Sequence, residues 1–444
     1  MFSRILKFSE KKLGNHASEL LKKIFGNGLI QVTGKIAVIL STVVISTNLG
    51  PSVLGEISFM LSTISIVSTA MLFGLDRFLV KNISVEYFSK KKRKNYSNAY
   101  KALKTVTIIG ASVFLLFIAF LGNYLYEIKG YSIFKIGFGV VAILFIIDPL
   151  IKITSSILNA HNYVNVSQII KNNGVNILAC FFLLLLYILF KDYFDDKTVV
   201  LSYLMSFFLV FIIGILVSAK FVRFNKIINT KLDFKIFKLS APFFLISLSP
   251  VLKNNLDRVF VGLVQDTNTL AVYDVSMKLA NITGFLLFIS MSALSPKISQ
   301  LTTQKTKEST ILLFKLLRKM SYIMLIPALL IFIVFVLFGK NILEVWGTTY
   351  REGYKILIMV SVAQLFAVFS GPVGVLLQMS GHERKASKSV FVSSLVQILI
   401  IFLIPVFGLL AAAFAYFMAI VIENVMNLYF AKKHLDYKLL KFNS

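Results

Sequence analysis

Lys253, Asn254, Asp257 and Arg258 lie within a stretch, 241–264, that is otherwise apolar and long enough to cross a bilayer core. They are spaced i, i+1, i+4 and i+5, so a helix carries them as one polar stripe. Facing hydrocarbon, each charged group would cost roughly 2.5–3.5 kcal/mol on insertion scales. The stripe therefore faces protein or a wet cavity. There, fixed cations attract anionic groups such as phosphates, and side-chain amides bond hydroxyls. The pattern recurs along the chain. Gln31 and Lys35 share a face with Thr42 and Ser46. Lys171 and Asn172 go with Gln168 and Asn176, and Lys278 goes with Asp274 and Asn281. The candidate ligand-binding groups are Lys35, Lys171, Lys253, Arg258 and Lys278, with the amides Gln31, Asn172 and Asn254.

Carboxylates in these stretches are fewer. Asp148, Asp257, Asp274 and Glu423 stand against six cations, the five above and Lys152. The positive excess suits an anionic ligand, and arginine suits forked contacts to an oxyanion best. Asp257 and Asp148 are the carboxylates placed to carry a coupling ion, a proton or sodium. A purely structural reading stands beside this one. Asp148 with Lys152, Lys253 with Asp257, and Asp274 with Lys278 are all i, i+4 and can neutralise each other. Lys35, Lys171 and Arg258 have no such acid on their own helix, so they lead the candidates. The single Cys180 and four scattered histidines show no metal-ligand spacing, and no cofactor is expected.

The elements that hold these groups are helices. Hydrophobic residues make up 57% of the 444-residue chain, and mean hydropathy is +0.81. Twelve apolar runs of spanning length lie near 28–49, 53–75, 103–126, 134–158, 164–190, 198–219, 241–264, 269–295, 316–338, 354–379, 389–406 and 408–430. Alternation of period two is absent, which excludes a barrel. Pro149, Pro242, Pro250, Pro327, Pro372 and Pro405 fall inside runs and predict kinks, and Gly371-Pro372 with Gly374 predicts a hinge.

Net charge is +27, but its distribution argues against nucleic acid as the partner. With the N-terminus inside, inner segments and their flanks hold 33 of the 47 Lys and Arg, and outer connections hold 7. This asymmetry places both termini in the cytoplasm. The run Lys90-Lys91-Lys92-Arg93-Lys94 then meets anionic headgroups of the lipid bilayer. The first 26 residues lack the apolar core of a signal peptide; Leu6, Leu13, Leu20 and Leu21 suit an interfacial helix or a solvated basic tail. The short outer connections leave no room for a catalytic domain, so no enzyme activity is expected. The expected organisation is a basic segment (1–26), six helices (27–219), a basic linker (220–240), six more helices (241–430) and a basic tail (431–444). Two short internal similarities support a repeat of the halves. Leu54-Gly55-Glu56-Ile57 parallels Leu270-Ala271-Val272-Tyr273, and Ala160-His161 parallels Gly381-His382.

Three sets of stretches resemble one family. They are Leu49–Ser58 with Phe73-Gly74-Leu75-Asp76; Leu239-Ser240-Ala241-Pro242 with Asp257-Arg258 and Tyr273–Leu279; and Phe338-Gly339-Lys340 running to Gly381-His382-Glu383-Arg384. In order and spacing the chain resembles the Wzx-type O-antigen and capsule flippases of the multidrug/oligosaccharidyl-lipid/polysaccharide superfamily. The resemblance implies an all-α integral membrane protein with a MATE-like fold, about twelve helices in two six-helix lobes around a central cavity. It implies transfer of an undecaprenyl-diphosphate-linked oligosaccharide from the inner to the outer leaflet of the bacterial cytoplasmic membrane. A polysaccharide polymerase and chain-length proteins would be partners. It implies no catalytic residue, because no covalent bond of the substrate changes. The rival readings are a drug or cation antiporter of the same fold, which wants a titrating carboxylate where the first span has Lys35, a peptidoglycan-precursor flippase, and a membrane enzyme acting on the same lipids.

Overall fold

The computed structural model describes residues 15–88, 97–116, 132–222, 235–304 and 306–437, with backbone alone for 15–27, 29, 85–88, 97–98, 114–116, 132–141, 172, 286 and 292–297. Among these residues every regular element is helical. The first half comprises α1 (Asn15–Leu49), α2 (Pro51–Leu72), α3 (Leu75–Phe88), α4 (Ser97–Leu116), α5 (Ser132–Ala160), α6 (Val164–Gln168), a π-helical segment (Ile169–Asn173), α7 (Gly174–Leu189) and α8 (Asp196–Ser218). The second comprises α9 (Lys235–Val264), α10 (Thr267–Ala280), α11 (Ile282–Gln304), α12 (Lys307–Glu344), α13 (Tyr354–Ser370), α14 (Val373–Met379), α15 (Glu383–Ile401), α16 (Ile404–Phe407) and α17 (Leu409–Leu435).

Each half makes six passes through the bundle. Among the described residues eight helices are long and apolar enough to cross a membrane, and the bent pair flanking the π segment, its parts 52° apart, makes a ninth. The other three passes are α4, the broken pair α10–α11, and α15 with its serines and lysines. Within the first half α8 packs on α5 and α7, and α1 packs on α7; within the second α17 packs on α13 and α15. The bundle has two ends. The near end holds the start of α1 and the turns after α2, α5, α11 and α14; the far end holds the turns after α1, α7, α9 and α12.

Local sequence explains the helix limits. Gly50 at φ +86 turns the chain and Pro51 opens α2. Asp195 accepts from the Thr198 amide and caps α8. Thr306 and Ser309 cap α12 reciprocally, so this helix starts well before the expected 316. Helix α1 runs unbroken from Asn15, through the expected boundary at 26, because no cap or proline interrupts it. Likewise α9 opens at Lys235, ahead of 241. Residues 1–14, the run Lys90–Lys94, most of the 220–240 linker and the end of the C-terminal tail lie outside the described residues.

Four passes are irregular; the eleventh breaks at Phe402-Leu403, where Pro405 opens the short α16. The fifth, expected as one helix, contains the π segment at Ile169–Asn173. The eighth, also expected as one, breaks at Asn281. The tenth breaks at Gly371-Pro372, as their types predict. Gly371 has φ +75, and a Cβ there would meet Ser321 Oγ at 2.0 Å. Pro149, Pro242, Pro250 and Pro327 lie inside continuous helices.

Candidate functional site: a polar cavity between the halves

The two halves meet at both ends of the bundle. At the far end, the Trp346 indole N–H donates to Thr42 Oγ1 (3.0 Å). The Ser46 hydroxyl donates to the Trp346 carbonyl (2.8 Å) and is hydrogen-bonded to the Tyr350 hydroxyl (2.7 Å). Close by, the Ser52 and Thr267 hydroxyls are 2.9 Å apart, and a Cβ at Gly55 would lie 1.9 Å from the Thr267 carbonyl oxygen. Thr42 and Ser46 therefore serve a contact between halves, although they share a helix face with Lys35. At the near end, Phe73 stacks on Phe244 with centroids 4.3 Å apart. Gly74, at φ +78, presses against the backbone of Phe243 and Phe244, where a Cβ would approach to 2.6 Å. Asp76 is held from both halves, by Ser247 Oγ (2.9 Å) on α9 and Lys171 Nζ (3.3 Å) on the π segment.

Between the halves lies a cavity of about 640 Å³. Gln31, Gly34 and Lys35 of α1 line it, as do Ser58 and Ser62 of α2, and Asn173 and Asn176 at the π segment. The second half contributes Asn254, Asn255 and Arg258 of α9, with Asp274 and Lys278 of α10. Asn281, Phe285 and Phe288 continue that wall, joined by Gln364 and Tyr416. Gly34 allows α1 to approach, since a Cβ there would meet Asn173 Oδ1 at 2.6 Å.

The charges are arranged unequally. Lys35 is exposed to the cavity and makes no ion pair or hydrogen bond among the described residues. Arg258 Nε donates to Asp274 Oδ1 at 2.6 Å, and Lys278 Nζ donates to the other Asp274 oxygen. Arg258 also donates to the Asn254 carbonyl. The lining thus holds three cations and one carboxylate. Asp257 stands behind Arg258, fully buried, accepting from the Tyr273 hydroxyl (2.5 Å) and the Arg258 backbone N–H (2.9 Å). Counting it, the local excess is one positive charge, which an anion entering the cavity would meet.

The remaining sequence candidates lie elsewhere. Lys171 is outside the cavity lining, on Asp76. Lys253 is outside it too, bonded to Glu423 of α17 at 2.5 Å. That differs from the expected pairing with Asp257, because α17 offers Lys253 a carboxylate while α10 offers Asp257 a phenol. Asp148 bonds Lys152 (2.7 Å) and Ser68 between α5 and α2, away from the cavity, as its i, i+4 spacing predicts. The Asn172 side chain lies outside the described residues. Arg258, without an acid at i, i+4 on its own helix, takes Asp274 from the next one and also lies 3.7 Å from its neighbour Asp257. Sequence reasoning passed over Asp76, quoted only within a motif, and Gln364 and Tyr416, which carry no spacing signal. No group of three or more metal-ligating side chains occurs among the described residues.

Residues 20–302 match the family model described as "Polysaccharide biosynthesis protein". The chain belongs to this family. Residues 242–403 also match the model described as MatE. Among curated proteins none is detectably similar in sequence. Solved structures share the fold. An inward-facing multidrug resistance MATE family transporter of the MOP superfamily aligns with TM-score 0.67 at 11% identity, over 94% of this chain and 100% of its own. The MATE multidrug transporter DinF-BH gives 0.64 at 14%, over 95% and 97%. The lipid II flippase MurJ, in an inward closed conformation, gives 0.62 at 15%, over 92% and 87%. This member of the polysaccharide biosynthesis family is thus a multi-pass membrane protein with the transporter fold of that superfamily. The stretches on which the sequence resemblance rests meet in space. Phe73-Gly74 packs on α9 just past Pro242 at the near end, and Gly55 packs on the segment leading to Tyr273 at the far end.

Proposed function

We propose that the protein flips an undecaprenyl-diphosphate-linked oligosaccharide from the inner to the outer leaflet for surface polysaccharide assembly. The observation that carries this reading is the cavity's charge: Lys35, without an acid partner among the described residues, lines the cavity with Arg258 and Lys278, which share the carboxylate of Asp274. A diphosphate supplies the missing negative charge, and its strongest contact is the arginine fork. Cavity amides, Gln31 and Asn254 among them, bond the sugar hydroxyls. The polyprenyl tail stays in lipid between the halves. Lobes 27–219 and 241–430 rock about the cavity, exposing it first to one side and then to the other. The near end is cytoplasmic, as the Lys and Arg asymmetry supports, so both termini are inside a bacterial inner membrane. The step is transport and breaks no covalent bond. A proton or sodium gradient drives it, with Asp257 or Asp148 as the coupling carboxylate; an Asp257→Asn protein with unchanged ion dependence removes Asp257 from the scheme. A polymerase and chain-length proteins act on the delivered units.

A second reading, an antiporter expelling cationic drugs, is favoured by the MatE match over 242–403. One experiment separates the two. The protein is reconstituted in vesicles holding a fluorescent undecaprenyl-diphosphate sugar, and its accessibility from one leaflet is followed for the native protein and for Lys35→Ala. Protein-dependent movement that Lys35→Ala abolishes supports the flippase. Absence of lipid movement, with a cationic dye expelled under a proton gradient, supports the antiporter.

A further inference from the structure

We infer that Asn281, Gln364 and Tyr416 form a subsite that reads the sugar unit next to the diphosphate. The inference rests on the flippase reading. It concerns selectivity, which the cationic residues do not supply.

The three side chains come from different passes and converge on one point of the cavity wall. The Gln364 amide N–H donates to Asn281 Oδ1 at 2.5 Å, and the Tyr416 hydroxyl donates to the same oxygen at 3.2 Å. That oxygen is then saturated, with both lone pairs used. Asn281 Nδ2, a donor, and Gln364 Oε1, an acceptor, have no partner among the described residues. A donor and an acceptor left open side by side match a sugar hydroxyl, which both gives and takes a hydrogen bond, and equally the amide of an acetamido sugar. A phosphate, which only accepts, satisfies half of this pair, and a hydrophobic cation satisfies neither half.

Position supports the assignment. Asn281 is three residues beyond Lys278 on the same pass, about 4.5 Å along a helix axis, the reach from a phosphate to the sugar it carries. The helix breaks at this residue, between α10 and α11, and broken helices mark substrate sites in transporters of many folds. Beyond the break, Phe285 and Phe288 offer apolar faces to the same cavity, as ring stacking on a sugar requires. Gly284 keeps the subsite open: a Cβ there would lie 2.3 Å from Gln364 Oε1 and push the acceptor aside.

The test measures binding to the full-length protein in lipid nanodiscs. The probes are undecaprenyl diphosphate alone and the same lipid carrying one hexose or one N-acetylhexosamine, the tighter sugar probe being used. The subsite predicts that Asn281→Ala, Gln364→Ala and Gly284→Ala each weaken the sugar-bearing lipid about tenfold and leave bare lipid diphosphate within twofold of the native value. Tyr416→Phe, which removes a single hydroxyl, shows the same split in a smaller degree and guards against misfolding of the alanine variants. Equal loss of both probes means the cluster only supports the fold and overturns the inference. Unchanged binding of both overturns it as well. Native protein that binds neither probe overturns the flippase reading itself, and the subsite with it.

Discussion

Arg258 and Asp274 are 16 residues apart in sequence and 2.6 Å apart in space, on the facing walls of two consecutive passes. The pair borders the cavity, and Lys278 shares the carboxylate. Asp274 thus keeps two cations together, and an anion in the cavity would compete with it for both.

Removing that carboxylate leaves Lys278 without an acid and Arg258 with Asp257 alone, 3.7 Å away. Asp274→Asn should lower stability by about 3–5 kcal/mol, the range for removing one partner of a buried pair. Thermal melting of the purified protein checks this. Asp274→Asn combined with Lys278→Met should recover part of the loss, because only one charge then needs a partner.

Lys35 is the opposite case. It orphans no group when removed, so Lys35→Ala should change stability by no more than ~0.5 kcal/mol, as for a surface substitution. Lipid diphosphate transport should nevertheless fall at least tenfold, and Lys35→Arg should restore it. A melting shift as large as that of Asp274→Asn would mean that Lys35 has a structural partner and is not a free cation.

Asp76 ties the halves at the near end through Ser247, while Lys171 neutralises it. Ser247→Ala removes one hydrogen bond, about 1 kcal/mol, from the state in which that end is together. On a Cys180→Ala background, a Ser62→Cys reporter in the cavity should then react roughly fivefold faster with an impermeant thiol reagent added on the near side. An unchanged rate would take this contact out of the gating.

Gly55 sets the far-end approach. With a Cβ 1.9 Å from a backbone oxygen, Gly55→Ala has no low-energy adjustment and must separate α2 from α10. The expected result is faster labelling of the same reporter from the far side, together with loss of transport. Ser52→Ala, which deletes one hydroxyl of the neighbouring pair, should cost about 1 kcal/mol and leave transport largely intact.

Much of the site was legible from spacing. The stripes on passes one, seven and eight placed Gln31, Lys35, Asn254, Arg258 and Lys278 on faces that do line one cavity. The pairs Asp148–Lys152 and Asp274–Lys278 follow from i, i+4 spacing and are present. Spacing misled at Lys253, whose partner Glu423 is 170 residues away, and at Thr42 and Ser46, which bind Trp346 and Tyr350 across the halves. It was silent on Asp76, which entered only as the end of a motif, and on Gln364 and Tyr416, which join Asn281 from other passes.

The sequence by itself determined that the chain is helical and spans a membrane, and which face of each helix is polar. Apolar length, period and the cost of charge in hydrocarbon are local properties, readable one helix at a time. Tertiary structure alone decided which polar face meets which. Arg258 is neutralised by Asp274, Lys171 is drawn to Asp76, and Lys35 is left unpaired among the described residues. These outcomes depend on helices remote in sequence packing within a few ångströms, because ion pairs and hydrogen bonds act only at contact. The spacing of residues along one helix carries no record of its neighbours.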